Sequence, residues 1–285
     1  MSTSPHIRLL TEADLEFADS IRELAGWNQL PGDWRRLLEH DPEGCFIAEW
    51  DGRPAGTATT TSYHDDLAWI GMVIVHPELR RHGIGRALLN HCIEHLQAKR
   101  LKSIKLDATP MGKSVYDTLG FRNEWLLARW EVDEVESVEP IAARESVETV
   151  DDVAAFLELD LESFGVDRSR MLSALAGQSA TRIHRGPNGE CDGFGMLRPG
   201  RNASYLGPVV ATNDEAGMAL VGALLGAAGK GRVFWDIPDD NVTALSLAKQ
   251  CEFHQQRVLT RMYLGGNETP GAPANIWALA APEIG

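Results

Sequence analysis

At 285 residues the chain exceeds one ordinary α/β domain, and at ~100–200 residues per domain it reads as two. Its 44% hydrophobic and 24% charged residues are those of a globular protein, so no disordered or fibrous class is needed. A formal net charge of −14, with no block of Lys and Arg interleaved with aromatics to offset it, argues against nucleic acid as a partner.

Cys45, Cys92, Cys191 and Cys251 are widely spaced and hold no C-x-x-C pair, so neither a disulfide framework nor a zinc knuckle is expected. Met1 to Leu10 lacks a charged stretch followed by a long apolar one, and no apolar run reaches ~18 residues. A cytoplasmic chain that does not enter a membrane is the expectation.

Thr11 followed by Asp14 has the form of a capping box, after which Leu15, Ala18, Ile21 and Leu24 recur on one helical face until Gly26. Trp27-Asn28-Gln29 then leads through Pro31 and Gly32 to a second helix that Asp33 could cap, with Trp34, Leu37 and Leu38 facing inward. Strands are expected over 46–50 and 55–62 around the turn Asp51-Gly52. The apolar run 69–75, ended by His76-Pro77, reads as a buried central strand. A glycine-bearing loop over 80–86 feeds a helix over 87–99, followed by a strand over 103–109. A short helix over 113–118 and a strand over 126–132 close this half, and the charged, aperiodic segment 131–150, with Pro140, holds the expected boundary. The domains are therefore set at 1–134 and 135–285.

The loop Arg80-Arg81-His82-Gly83-Ile84-Gly85 between a strand and a helix has the physical makings of a pyrophosphate cradle. Glycines let backbone approach closely, and successive amides at a helix N-terminus favour an anion. A dinucleotide fingerprint fails here, because Leu88 stands at its third glycine and the motif follows a hairpin instead of opening a βαβ unit. His91-Cys92-Ile93-Glu94-His95 spells H-x-x-E-H, but on a helix that should cover the sheet, so surface histidines are preferred to a metal site.

Val75-His76-Pro77, Arg80-x-x-Gly83-x-Gly85 and Tyr116-x-x-Leu119-Gly120-Phe121 together resemble the GCN5-related N-acetyltransferase (GNAT) superfamily, over approximately residues 7–132. The resemblance implies acetyl-CoA as donor, a small-molecule or peptide amine as acceptor, and no metal. It also implies a mixed, mostly antiparallel twisted sheet flanked by helices. Carried over by position, Val73, Ile74 and Val75 would meet pantetheine. The amides of Arg81, His82, Gly83, Ile84, Gly85 and Arg86 would hold the pyrophosphate, with Arg80 or Arg81 adding charge. Tyr116 would protonate the thiolate that leaves when an amine attacks the thioester. Where the family often has Asn, this chain has Thr109, which keeps a hydroxyl and loses the carboxamide.

For the base that relieves the amine of its proton, Asp107 is the candidate, with a structural carboxylate as the competing reading. The acceptor side is assigned to Trp27, Asn28, Gln29 and Asp33, with Tyr63 and Trp69 as pocket walls. Packing for the tryptophans and solvation for the amides is the alternative.

The chain also matches itself. Trp69-Ile-Gly71-Met-Val73 aligns with Tyr205-Leu-Gly207-Pro-Val209 at a shift of 136, and at a shift of 132 Leu119-Gly120-Phe121 lies over Cys251-Glu252-Phe253 and Arg129 over Arg261. Ala216, Ala219 and Val221 fall where Arg80, Gly83 and Gly85 stand, Ala248 replaces Tyr116, and Asn241 replaces Thr109. The second half is thus expected to be a degenerate copy, with Phe164-Gly165-x-Asp167-Arg168 holding an Asp–Arg pair or facing the first half or the acceptor. The function expected is an acetyl-CoA-dependent N-acetyltransferase. A non-catalytic acyl-CoA-binding module is the alternative, and the amine and the oligomeric state stay open.

Overall fold

The computed structural model describes residues 4–135 and 146–285, so Pro140 and half of the expected boundary segment lie outside the described residues. The first half runs β1 (His6–Leu9), α1 (Leu15–Leu24), α2 (Pro31–His40), β2 (Cys45–Trp50), β3 (Arg53–Tyr63), β4 (Leu67–Val75), α3 (Ile84–Ala98), β5 (Ser103–Ala108), α4 (Pro110–Thr118) and β6 (Arg122–Val132). The second runs β7 (Val147–Thr149), α5 (Leu157–Phe164), α6 (Ser169–Ala176), β8 (Ala180–Arg185), β9 (Cys191–Arg198), β10 (Ser204–Ala211), α7 (Asp214–Ala228), β11 (Val233–Pro238), α8 (Val242–Gln250), β12 (His254–Gly265) and β13 (Ile276–Ala278). No helix of the described residues is long and apolar enough to cross a membrane.

Local chemistry explains most element boundaries. The Asp14 carboxylate accepts from the Thr11 backbone N–H and hydroxyl, giving the expected cap, but Leu24 is 60% exposed and leaves the α1 stripe one turn short. Proline opens α2, and Asp33 sits in its first turn and reaches back to the Leu30 N–H. The strand β1 was not anticipated, since four residues of mixed polarity carry no periodic signal.

The strands join into one 13-stranded sheet in the order β1-β2-β3-β4-β5-β12-β6-β11-β10-β9-β8-β7, with β13 beside β10. Read from the centre outward, the order repeats itself: β5, β4, β3 on one side answer β11, β10, β9 on the other. Both β4–β5 and β10–β11 are parallel, and every other pairing is antiparallel. The last strands of the two halves are exchanged. β12, from the second half, completes the first sheet beside β5, and β6, from the first half, lies beside β11.

Two buried ion pairs fasten this exchange. Arg129 on β6 faces Asp236 on β11, with Nε–Oδ1 at 2.7 Å and Nη2–Oδ2 at 2.6 Å. Arg261 on β12 faces Asp107 on β5 in the same fork, both bonds 2.9 Å. Each pair joins one half to the other, and loss of one partner would strand a buried charge at ~3–5 kcal/mol. Helix α3 packs with Leu88 and Leu89 on the first sheet segment and α7 with Leu224 and Leu225 on the second. The opposite face is one shared core, in which Trp34, Tyr63 and Trp69 meet Phe156, Phe164 and Phe194. The boundary at 134/135 therefore divides the sequence more sharply than it divides the folded molecule.

Candidate active site

A cleft in the first half begins where β4 leaves β5. The parallel ladder pairs Leu67, Ala68 and Trp69 with Ser103, Ile104 and Lys105 and then stops. On its other side β4 changes register against β3 between Thr57 and Thr59, and Met72 takes a φ of 48° there, with its carbonyl held by the Thr57 hydroxyl at 3.0 Å. Such a bulge bends a strand and ends its pairing. The edge from Ile70 to Val75, including Val73 and Ile74, is left without a strand neighbour on the β5 side.

The expected phosphate loop lies at the outer end of that edge. Arg81 has φ 66° and Gly83, the N-cap of α3, has φ 78°. The amides of Arg81, His82, Gly83, Ile84, Gly85 and Arg86 have no backbone hydrogen-bond partner among the described residues, and a Cβ on Gly83 would meet nothing within 4 Å. Arg80, Arg81, His82 and Arg86 are exposed, and the Arg80 Nε–H donates to Val75 O at 3.4 Å. This is a nest of free donors at a helix N-terminus with cations around it, open to a diphosphate.

At the inner end the cleft encloses about 680 Å³, its open mouth included. Trp27, Gln29, Met72, Val73, Thr109 and Tyr116 contribute to its walls. Thr109 caps α4, its hydroxyl accepting from the Gly112 N–H at 3.3 Å. Tyr116 packs edge-on to Phe121, and its phenol makes no hydrogen bond among the described residues. Burial pushes that phenol up to about 12, so it stays protonated at neutral pH.

Several expected site residues have other work. The Asp107 side chain is 0% exposed and both its oxygens are held by Arg261, so the residue borders the cleft through its backbone. That is a cross-strand ion pair and not a base facing an amine. Tyr63 lies in the shared core and donates to Ile284 O at 2.7 Å, and it does not wall the cleft. Trp69 is equally buried, donating to Pro282 O and covered by the Arg261 guanidinium 4.4 Å from its ring. Asn28 borders the cleft as expected, but its side chain accepts from the N–H groups of Asn202 and Ala203 and donates to Ala203 O, which uses it to stitch the α1–α2 loop to the β9–β10 loop. Asp33 serves the α2 N-terminus and Arg36. The second-half pair also differs from expectation: Arg168 is bound to Asp160, not Asp167, and Asp167 caps Ser169. His91 and His95 rest on the Phe46 ring, with centroids at 4.6 and 5.2 Å.

Several cleft residues escaped the sequence reading, Glu283 foremost. The segment after β13 crosses from the second half into the first, with Pro282 and Ile284 held as above, and brings Glu283 into the cleft. Its Oε2 accepts from Gln29 Nε2 at 2.9 Å, and burial pushes the carboxyl up, against the opposing pull of Arg198. Gly71 admits it: a Cβ there would stand 2.6 Å from Glu283 O. Arg129, Arg257 and Leu259 complete the wall from the exchanged strands.

The second half repeats this geometry and fills it with its own chain. β10 and β11 part after Leu206 and Trp235, as β4 and β5 do. Into the gap comes β13, pairing Val209 with Ala278 and Val210 with Ile276. Asn241 Nδ2 donates to Ile276 O at 3.1 Å, and Trp235 Nε1 donates to Trp277 O at 2.8 Å. The Trp277 ring lies over Gly217 near the start of α7, where a Cβ would come within 2.1 Å of it. Asn213 caps that helix in place of the free nest.

Comparison with known proteins agrees with this double construction. The Acetyltransferase (GNAT) family model matches residues 10–121, and an Acetyltransferase (GNAT) domain model matches residues 156–278. The chain is a member of the GNAT superfamily of acyl-CoA-dependent N-acyltransferases, with two GNAT domains in tandem forming one continuous mixed sheet. It is similar to an uncharacterized N-acetyltransferase, YitH, of Bacillus subtilis, 29% identical over 195 residues that cover 66% of this chain and 67% of that one. It is also similar to the holothin acyltransferase of a Pseudoalteromonas species, 24% identical over 91% of this chain and 87% of that one. Among solved structures, a Pyrococcus horikoshii protein described, without an established activity, as an acetyltransferase superposes over 100% of this chain and 97% of its own, with TM-score 0.84 and 26% identity. A tandem GNAT protein of the clavulanic acid biosynthesis pathway shares the fold, with TM-score 0.66 at 14% identity over 92% and 98% of the two chains.

Proposed function

We propose that the chain transfers the acetyl group of acetyl-CoA to a primary amine in the first-half cleft, by direct attack and with one CoA per chain. The observation that carries this is the alignment along one edge of the free amide nest, the unpaired β4 backbone and the unbonded Tyr116 phenol. The amine nitrogen attacks the thioester carbonyl, the C–S bond breaks, and the thiolate takes the Tyr116 proton, which solvent restores. Glu283 takes the proton the nitrogen gives up. Its buried carboxylate is held only by a neutral amide, whereas Asp107 is bound to a cation. The division at 134/135 belongs to the same reading, with 1–134 catalytic and 135–285 degenerate. Ala248 supports this by offering no acid, and β13 supports it by lying where pantetheine would lie in the second half.

Thiol release from acetyl-CoA over a broad amine panel, together with calorimetric titration of CoA, tests the proposal. One CoA per chain, lost in Gly83→Val, and amine-dependent thiol release are the expected results. Two equivalents would overturn the reading of the second half, and tight binding without turnover on any amine would favour a binding module.

A further inference from the structure

The charged side chains around the cleft have hydrogen-bond partners except at one place. Arg129 is satisfied by Asp236, Arg261 by Asp107, and Glu283 is bonded by Gln29. Arg257, paired through its backbone with Arg129 in the β12–β6 ladder, borders the same cleft, and its side chain forms no hydrogen bond or ion pair among the described residues. Its Nε–H is buried without an acceptor, and burial lowers the guanidinium to about 10, a response to lost solvation beside Arg129. A second orphan faces the same space: Gln29 uses its Nε2 on Glu283, which leaves Oε1 buried without a donor.

Buried donors and acceptors that stay unpaired destabilise the empty protein, and native folds keep few of them. Here the two are of opposite kind, on two residues lining one cleft that also holds the acid and the proposed base. Resting on the acetyl-transfer reading above, we infer that the acceptor is an amine that also carries an anionic group, a carboxylate or a phosphate. The anion binds Arg257, and the amine N–H donates to Gln29 Oε1 next to Glu283. An α- or ω-amino acid or an aminoalkyl phosphate has this pattern, and a polyamine does not. Arg257 is then a specificity residue: guanidinium forks bind carboxylate and phosphate bidentately, and a charged hydrogen bond of that kind separates an anion from its neutral isostere by ~10- to 100-fold.

Amines are tested in matched pairs, each amino acid against its carboxamide and each aminoalkyl phosphate against the corresponding aminoalcohol. The two arms tell the carboxylate from the phosphate. In the wild-type chain the anionic member of at least one pair should be preferred at least tenfold in kcat/KM. The ratio should collapse toward one in Arg257→Gln and be partly restored in Arg257→Lys. A second measurement does not need turnover: the CoA-loaded chain is titrated with N-acetylglycine, N-acetylglycinamide, an N-acetylaminoalkyl phosphate and its dephosphorylated alcohol, following tryptophan fluorescence. One anion should bind at least tenfold more tightly than its neutral partner in the wild type only. Equal binding within both pairs, or a preference that survives Arg257→Gln, overturns the inference. Anion-selective binding without transfer to any amine upholds it and instead sinks the acetyl-transfer reading.

Discussion

Burial raises the pKa of both Tyr116 and Glu283, and the proposed acid and base roles use that shift in two ways. The phenol, held up to about 12, keeps its proton at neutral pH and so can serve as the proposed acid. Tyr116→Phe keeps the ring against Phe121 and deletes only the donor, so kcat should fall ~10²-fold while CoA affinity changes little. A near-normal rate in a variant whose chemical step limits turnover would assign protonation elsewhere. Glu283 works with the opposite sign: it accepts a proton only when ionised, and burial raises its pKa above the ordinary carboxyl value. Activity should therefore fall as pH drops through that raised pKa. Glu283→Gln should lower kcat/KM ~10²- to 10⁴-fold and abolish that acidic limb. A limb that tracks the pKa of the amine and persists in the variant would return Glu283 to structure. Tyr116 was legible because its motif is local. Glu283 was not, because its partner Gln29 lies 254 residues away and Pro-Glu-Ile-Gly has no periodicity to mark a site. Asp107 was misread for the same reason, since nothing local announces Arg261.

At the scale of elements, the first-half strands from β2 to β6 were legible and their partners were not. The strand expected over 126–132 becomes part of β6, but which edge β6 and β12 complete is decided by register and by two arginines. Arg129 and Arg261 align in the self-comparison, and Asp107 and Asp236 lie opposite them across the exchange. Pairing of this kind is long-range, and composition does not encode it. A fragment of residues 1–134 would lose β12, leave β5 as an open edge, and strand Arg129 and Asp107 as unpaired buried charges. It should therefore be aggregated or unfolded when made alone and bind no CoA. Co-expression with a fragment of residues 135–285 should restore a soluble complex that binds one CoA. Recovery of a folded, CoA-binding 1–134 fragment by circular dichroism and calorimetry would show that the exchange is dispensable.

For the whole molecule, the proposed function gives the first half the chemistry and makes the second half the support that holds Glu283 in place. The same segment that fills the second cleft with Trp277 continues, five residues beyond it, through Pro282 into the first. Along the way Arg198 binds Ala280 O and the Leu279 N–H donates to Asp236 O, so the connection has little slack. Trp277→Ala should empty the space over Gly217 and cost ~3–5 kcal/mol of stability, seen as a lower Tm. If Trp277 acts by anchoring Glu283, the folded variant should also lose kcat, with CoA affinity unchanged because the nest at Gly83 lies elsewhere. The double variant Trp277→Ala with Glu283→Gln separates this from general loosening. A residue acting only through Glu283 adds nothing to kcat once that carboxyl is gone, whereas an independent effect adds in full. Additive losses in the double-mutant cycle, or restored CoA binding in the second half of Trp277→Ala, would refute the anchor and make the tail a simple plug.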